Sequence, residues 1–432
     1  AGMIAMNFIF QLDFLFVFIA KVQKYPYGAL IYANKNDKYR FFFIPLFRFI
    51  AIKIKSMIIR LRYFLTITLA TAALTLPAQK IKVGACTTAD GGEYQGEMVG
   101  GKPDGRGRAT YKNGDWYEGL YSKGKRQGKG TYTFSDGEKY EGEWFQDHQH
   151  GVGTFYFQNN NKYVGLWYID EQQGHGKMYY YNGDVYDGMW KQDKREGKGR
   201  YTFKDGTWYE GLWKDDMKSG KGVYHWPDGS SYDGMYANNL RDGKGVFRYS
   251  NGDVYVGQWK EDTPHGKGIY KFQSGDVYEG DYVQGERTGM GVFKFANGDK
   301  YTGAFVDGDK QGQGILVWKN GNVYQGEWKA DKPNGYGKLT MKNGDVFEGQ
   351  FKNGTIHGQG VARFADGSKF KGQFINGRRN GPAVEEDKNG KRFEGSYVDD
   401  RRDGRFVEKD ANGNVTAQGN YTRGHREEDK TK

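Results

Sequence analysis

Residues 117–139 read YEGLYSKGKRQGKGTYTFSDGEK, and this one stretch decides the fold. The same pattern starts again at Tyr140, Tyr163 and Tyr186. It recurs every 23 residues from Tyr94 to the unit that opens at Phe393. Fourteen units, 94–415, follow one another without insertion or deletion, and a degenerate partial unit continues from Ala417, slipped by one residue. A fixed period of this size marks a repeat architecture, in which each unit is too small to bury a core alone and depends on its neighbours.

Inside a unit, positions 1, 3 and 5 alternate aromatic, glycine, aromatic, as in Tyr140-Gly142-Trp144. Positions 14, 16 and 18 run glycine, aromatic, aromatic, as in Gly130-Tyr132-Phe134. Period two puts the aromatics of each segment on one face of a strand. Two strands per unit predict an all-β chain: an elongated, single-layer antiparallel meander of tandem 23-residue β-hairpins. Position 21 closes Asn-Gly or Asp-Gly pairs such as Asn113-Gly114 and Asp136-Gly137, which suit tight turns with positive φ. Positions 6–13, polar and carrying a Gly-x-Gly pair, read as the longer link.

Glycine weakens a strand unless something needs the space. Its place between aromatics at positions 3 and 14 predicts rings lying over bare backbone. The expected spine is Tyr140, Gly142, Trp144; Tyr186, Gly188, Trp190; and Tyr209, Gly211, Trp213. The 67 glycines are thus one motif copied, not low complexity, and 16% aromatic content argues against disorder. One cysteine excludes an internal disulfide and a cysteine-based zinc site. The net charge of +11 suggests a polyanion partner, but residues 1–78 hold ten basic and two acidic side chains. Residues 79–432 are close to balance, and no nucleic-acid partner is expected.

The unit Y-E-G-x-W-x-x-G-x-x-x-G-x-G-x-Y-x-x-x-x-G resembles the MORN (membrane occupation and recognition nexus) repeat over residues 94–415. The resemblance implies a rod of stacked hairpins in one twisted sheet, and a membrane-associated assembly role. The last units drift. Pro382-Ala383 replaces part of the Gly-x-Gly pair, and Glu385, Asp387, Glu408 and Asp410 stand where aromatics are expected, which suits a terminal cap. Residues 416–432 read as a degenerate partial repeat and a disordered tail.

Upstream the chain changes character. Residues 1–56, rich in Phe, Ile, Lys, Asn and Tyr, read as a spurious upstream extension. The alternative is a weak membrane segment at Met3–Ala20, which carries Asp13 near its centre. Residues 57–78 read as a signal peptide: Arg60 and Arg62, then the apolar run Phe64–Leu76, then Pro77-Ala78. This predicts an exported protein of bacterial type, in the periplasm, the outer membrane or the exterior. Residues 79–93 read as a flexible linker. Val83-Gly84-Ala85-Cys86 resembles the site at which bacterial lipoproteins are cut and acylated, which makes Cys86 a lipidation candidate. Lys80 and Lys82 interrupt that likeness.

No catalytic constellation emerges. The seven histidines fall mostly in polar stretches, and every Gly-x-Gly sits within a hairpin rather than before a helix, so none is a nucleotide loop. The chain is read as non-enzymatic, without cofactor, metal or small-molecule substrate. Charge placement is the best functional signal. Basic residues at positions 6–13 predict a basic edge: Lys125, Arg126, Lys129, Lys194, Arg195, Lys198, Lys218, Lys221, Arg241, Lys244 and Lys267. Acids such as Asp115, Asp184 and Asp253 line the other edge. Three functions follow as expectations: a scaffold for a protein partner or for self-association; a module for anionic lipid on the basic edge; and a carbohydrate binder using extra aromatics such as Trp116 and Trp208.

Overall fold

The computed structural model describes residues 81–427. The readings made for residues 1–56 and 57–78 lie outside this range. Every regular element among the described residues is a strand, and 32 strands make one open antiparallel sheet in which each strand pairs with the next in sequence, except that β28 (Arg392–Val398) pairs with both β29 (Arg401–Arg402) and β30 (Gly404–Lys409). The expected meander is the fold.

The second unit shows the plan. Strand β4 (Trp116–Ser122) carries positions 1–6, and β5 (Lys125–Thr133) carries positions 9–17. Only Lys123-Gly124 separates them. Positions 6–13 are therefore not a link: they hold the end of one strand, a two-residue turn and much of the next strand. Both turn residues have positive φ, as at Gln146-Asp147 and Asp215-Asp216, which is the type I′ geometry that matches strand twist. The Asn-Gly pairs sit in the other connection. There Tyr111–Gly114 forms a turn closed by the Gly114 N–H on the Tyr111 carbonyl, and only Gly114 of the Asn-Gly pair has positive φ. That is a three-residue loop with a glycine bulge, not a two-residue turn.

Within each hairpin Gly119 pairs with Gly130 and Tyr121 with Arg126, so the second strand carries two surplus residues. The surplus is absorbed at position 12, where all fourteen glycines, from Gly105 to Gly404, have positive φ. Because two residues are added, face parity is kept, and positions 1, 3, 5, 10, 14, 16 and 18 share one side.

The core is a line of rings on that side. Tyr117 is fully buried and lies over Gly119 and Gly130; a Cβ on Gly130 would stand 2.1 Å from its hydroxyl. The Tyr117 hydroxyl donates to the Leu120 carbonyl at 3.1 Å, and Tyr140, Tyr186 and Tyr209 make the same bond at 2.9–3.0 Å. Tyr117 meets Tyr121 of its own unit and Trp144 of the next edge-to-face, both at 5.2 Å. The pattern continues through Tyr140, Trp167, Tyr186, Trp190, Tyr209 and Trp213, and reaches Tyr397. Each such pair contributes roughly 0.5–1.5 kcal/mol beyond its burial. The expected spine is in place.

Both ends depart from the reading. The described part of the expected linker, residues 81–93, is ordered in the sheet: β1 (Lys82–Thr87) pairs along its length with β2 (Glu93–Val99), with Gly84 opposite Gly96. Cys86 is half-buried in β1 against the aromatic core, and a cut before it would remove Lys82–Ala85 from the strand. At the other end β31 (Val415–Thr422) continues the sheet, and a register shift at Lys409 absorbs the one-residue slip. His425–Arg426 pair back onto β31, so strand order extends into the expected tail.

Candidate functional site

The aromatic side is not flat. Across units two to five, and reaching Asp216 of unit six, it forms an open groove of about 930 Å³. Position 5 supplies Trp144, Trp167 and Trp190, position 16 supplies Tyr132, Phe155 and Met178, and position 18 supplies Phe134, Phe157 and Tyr180. Positions 8 and 10 add Asp147, Asp170, Asp193 and Asp216, with Arg126, Gln149, Gln172 and Arg195.

The proposed basic edge is divided by the fold, because positions 9–13 lie in strand rather than in a loop. Position 10 points to the aromatic side. The Arg195 guanidinium sits 4.4 Å from the Trp213 ring, its Nε donates to Asp216 at 2.9 Å, and its Nη2 donates to the Asp216 carbonyl at 2.9 Å. Arg241 does the same with Trp259 and Asp262. Arg126 stacks on Trp144 and its Nη2 donates to the Asp147 carbonyl at 3.0 Å, but its Nε stands 3.6 Å from the Asp147 carboxylate without a hydrogen bond. These arginines clamp one repeat to the next and are already partnered. Lys218 has Asn239 where the others have aspartate. Burial, aided by nearby Arg241, lowers its ammonium below the usual lysine range despite the attraction of Asp262.

Position 13 points to the other side of the sheet, where Lys129, Lys198, Lys221, Lys244 and Lys267 are exposed. Lys267 pairs with Asp281 at 2.8 Å, and Lys221 is 3.8 Å from Asp233. Position 9 stays at the turn, where Lys194 meets Asp215 at 3.3 Å and Lys125 is 3.8 Å from Asp147. The structure therefore does not bring the eleven residues together on one surface.

The opposite acids are stitches between repeats. Asp184 accepts the Tyr201 hydroxyl at 2.8 Å and the Lys204 N–H at 2.9 Å. Partial burial opposes ionisation of Asp184, yet the bonds from Lys204, Tyr201 and Asn182 hold its carboxyl below the usual range. The Gln273 N–H and the Tyr270 hydroxyl lower Asp253 in the same manner.

The extra aromatics are covered rather than open. Arg108 lies 4.4 Å over Trp116. Arg200 lies 4.4 Å over Trp208, whose ring also stacks parallel with His225. Among the described residues no group of three metal-ligating side chains forms. His148 bonds Asp170, and His175 lies 3.1 Å from Asp187.

Two features went unread in the sequence. The position-8 aspartates at the I′ turns carry no turn dipeptide to betray them, although their recurrence at Asp147, Asp170, Asp193 and Asp216 is a periodic signal. The N-terminal half-repeat was missed as well: Gly84 and Asp90-Gly91 fall at positions 14 and 20–21 of a unit that would precede Tyr94.

Together these features define an open repeat protein: β-hairpins stacked in one sheet, zipped by aromatic rings and grooved on the zipped side. The MORN repeat family model matches thirteen consecutive units, from 94–116 to 370–392, and the chain belongs to that family. The unit at 393–415 falls outside the match, where Phe406 replaces a glycine and Glu408 and Asp410 replace aromatics. No curated protein matches the chain. Among solved structures it is similar to the TCP domain of SAS-4 from Drosophila melanogaster, solved with a proline-rich motif of Ana2. The identity is 15% and the TM-score 0.24, over 36% of this chain and 84% of that one. It is also similar to the TCP10 domain of CPAP from Danio rerio, solved with a peptide of STIL. There the identity is 12% and the TM-score 0.18, over 68% and 96%. At scores this low neither fold nor function passes from those proteins to this chain.

Proposed function

We propose that this chain is a non-enzymatic scaffold that holds a segment of a protein partner along the aromatic groove of units two to five. The observation that carries this reading is the groove itself. Its position-18 rings Phe134, Phe157 and Tyr180 stand half-buried in a periodic row beside buried tryptophans, and aromatic anchors dominate the energy of protein interfaces. Two adjacent strands span about 9.6 Å, so each repeat offers an equivalent pocket at that spacing. A partner with apolar side chains about 10 Å apart, seven residues along a helix or three along an extended chain, would fill successive pockets. At the centre Asp170 and Asp193 face Gln149 and Gln172 instead of arginines, which favours a basic residue in the middle of the segment. The signal-like stretch at 57–78 supports export, so the proposed setting is a bacterial cell envelope.

The test is selection of a randomised peptide library on the protein, followed by calorimetry. Enriched peptides should share the spacing and a central Lys or Arg, and Tyr180→Asp should weaken them at least tenfold. Peptides unaffected by that change, or no enrichment, would refute the reading.

A second reading rests on the far side of the sheet. In units five to nine Lys198, Lys221, Lys244 and Lys267 form one row. Arg248, Lys271 and Lys294 form another, and Val246, Val256, Ile269 and Val292 lie between them. An apolar strip between basic rows suits an anionic lipid surface. Neutralising Lys198, Lys221 and Lys244 should then abolish salt-sensitive binding to phosphatidylserine vesicles, while Arg126→Gln leaves it intact.

A further inference from the structure

The sheet ends in two unlike halves of one repeat. At the N-terminal end Lys82–Glu93 follow positions 12–23 of a unit. Gly84 is at position 14, Cys86 at 16 and Gly91 at 21. The Thr88 loop carries the same two backbone bonds as every other long loop. At the C-terminal end Ala417–Glu427 follow positions 1–11. Gly419 is at position 3, Tyr421 at 5, Arg423-Gly424 form the positive-φ turn, and Arg426 stands at 10 opposite Tyr421. One end has a second strand without its first; the other has a first strand with only the start of its second. Among the described residues nothing pairs with the outer side of β1, or with β31 over Thr416–Gly419.

The glycines supply an independent observation. Inside the sheet, glycine at position 3 is needed because a Cβ would stand within 3 Å of the Cα of the glycine at position 14 of the same unit, as at 2.5 Å between Gly119 and Gly130. Gly84 and Gly419 lack that partner. A Cβ on Gly84 meets only the flexible Met98 sulfur at 3.0 Å, and a Cβ on Gly419 only the Phe406 ring at 3.2 Å. Neither has a backbone conformation reserved for glycine. Their own chain does not require them; at Gly419 the missing 3-to-14 pairing does, and Gly84 is the position-14 glycine it would face.

We propose that a second copy of this chain completes the split repeat. The β31 edge of one molecule pairs antiparallel with the β1 edge of the next, Gly419 facing Gly84, Ala417 facing Cys86 and Gln418 facing Ala85. Direction agrees, since β31 runs opposite to the strand that would follow it, as β1 does in its own sheet. Such a head-to-tail contact uses two different surfaces and does not close on itself, so it propagates into a filament. The pairing is short, and the association is weak and concentration-dependent.

Two full-length proteins with different tags test it. One keeps Cys86 as its single cysteine; the other carries Cys86→Ser with Ala417→Cys. Mixed at high concentration under mild oxidation, they should give predominantly the mixed disulfide, and sedimentation of the wild type should show molar mass rising with concentration beyond the dimer. Gly84→Val on the Cys86 partner, with an unchanged circular dichroism spectrum, should cut the mixed disulfide at least tenfold. If Gly84→Val alters that spectrum, Gly419→Val on the other partner takes its place with the same expected loss. Cys86–Cys86 dimers as the main product would show edge-to-edge pairing of like ends and overturn the proposal. A strict monomer without disulfide, or valine variants that both cross-link like the parent, would overturn it as well.

Discussion

At the scale of single residues, two kinds of glycine do different work. Gly188 exists for space: a Cβ there would lie 2.4 Å from the Gly199 Cα and 2.5 Å from the Tyr186 hydroxyl. Gly188→Ala should therefore displace the Tyr186 ring and cost more than 3 kcal/mol, a loss beyond ordinary substitutions. Gly197 exists for conformation, with φ of 78° and only the Met189 side chain near its Cβ direction. Gly197→Ala should cost about 1–2 kcal/mol through backbone strain. Tyr186→Phe removes the bond to the Met189 carbonyl and should cost about 1 kcal/mol. The chain itself accepts phenylalanine at Phe347, Phe370 and Phe393. Urea unfolding of the three variants should rank them in this order, and a mild Gly188→Ala would refute the ring-over-glycine account. The spatial role was legible because an alternating pattern names its own face. The conformational role at position 12 was not, since Gly-x-Gly looks the same in a loop and in a bulged strand.

At the scale of the hairpin, the sequence pointed to the wrong connection for the two-residue turn. Asn-Gly is the usual signal for that turn, yet Asn113-Gly114 closes the longer loop. The true I′ turns use pairs such as Ile169-Asp170 and Gln192-Asp193. Ordinary residues are held at positive φ there because the second one bonds the preceding repeat: the Asp193 carboxylate accepts the Gln172 N–H at 2.7 Å, and Asp216 accepts the Arg195 N–H at 2.9 Å. Turn geometry is thus fixed by a neighbour 21 residues away, which local propensity cannot see. Asp216→Ala should cost about 1–3 kcal/mol, by releasing the Arg195 backbone and side chain together. Arg195→Met, which keeps contact with Trp213, should cost less. The loop acids make a pH prediction. Asp184 and Asp253 have carboxyls held below their unfolded value, so their contribution is present above about pH 4 and is lost as pH falls through the folded value. The melting temperature should fall between pH 5 and pH 3, and the double variant Asp184→Asn, Asp253→Asn should flatten that fall. An equally steep fall in the variant would assign acid sensitivity to other groups.

At the scale of the whole sheet, stability is a sum over neighbours, because each tyrosine packs within its own unit and against the position-5 ring of the next. Burial is the first cause that raises the tyrosines, with Tyr278 and Tyr324 pushed up to about 12. A hydroxyl whose folded value is raised stabilises the fold fully below its unfolded value near 10, and that contribution is lost as pH rises toward 12. Phenolate absorbance from the buried row should accordingly rise in step with loss of the circular dichroism signal. The repeat period makes the stronger prediction. Removing residues 209–254 excises two whole units and brings Tyr186 and Trp190 against Tyr255 and Trp259, the same edge-to-face pairing in the same register. The Arg195 clamp then meets Asp262 in place of Asp216, again at position 8. That deletion should fold, keep the groove of units two to five intact, and lower the melting temperature by only a few degrees, as nearest-neighbour stability requires. Removing 209–242 deletes a number of residues that is not a multiple of 23. It sets the glycine and aromatic positions of the following chain out of phase and leaves Tyr186 without the next unit's position-5 ring, the place Trp213 fills. A cooperative melt for the first deletion and exposed, quenchable tryptophan for the second would establish the 23-residue unit as the quantum of stability. Equal damage from both would mean that the sheet is held by something longer-ranged than its neighbours.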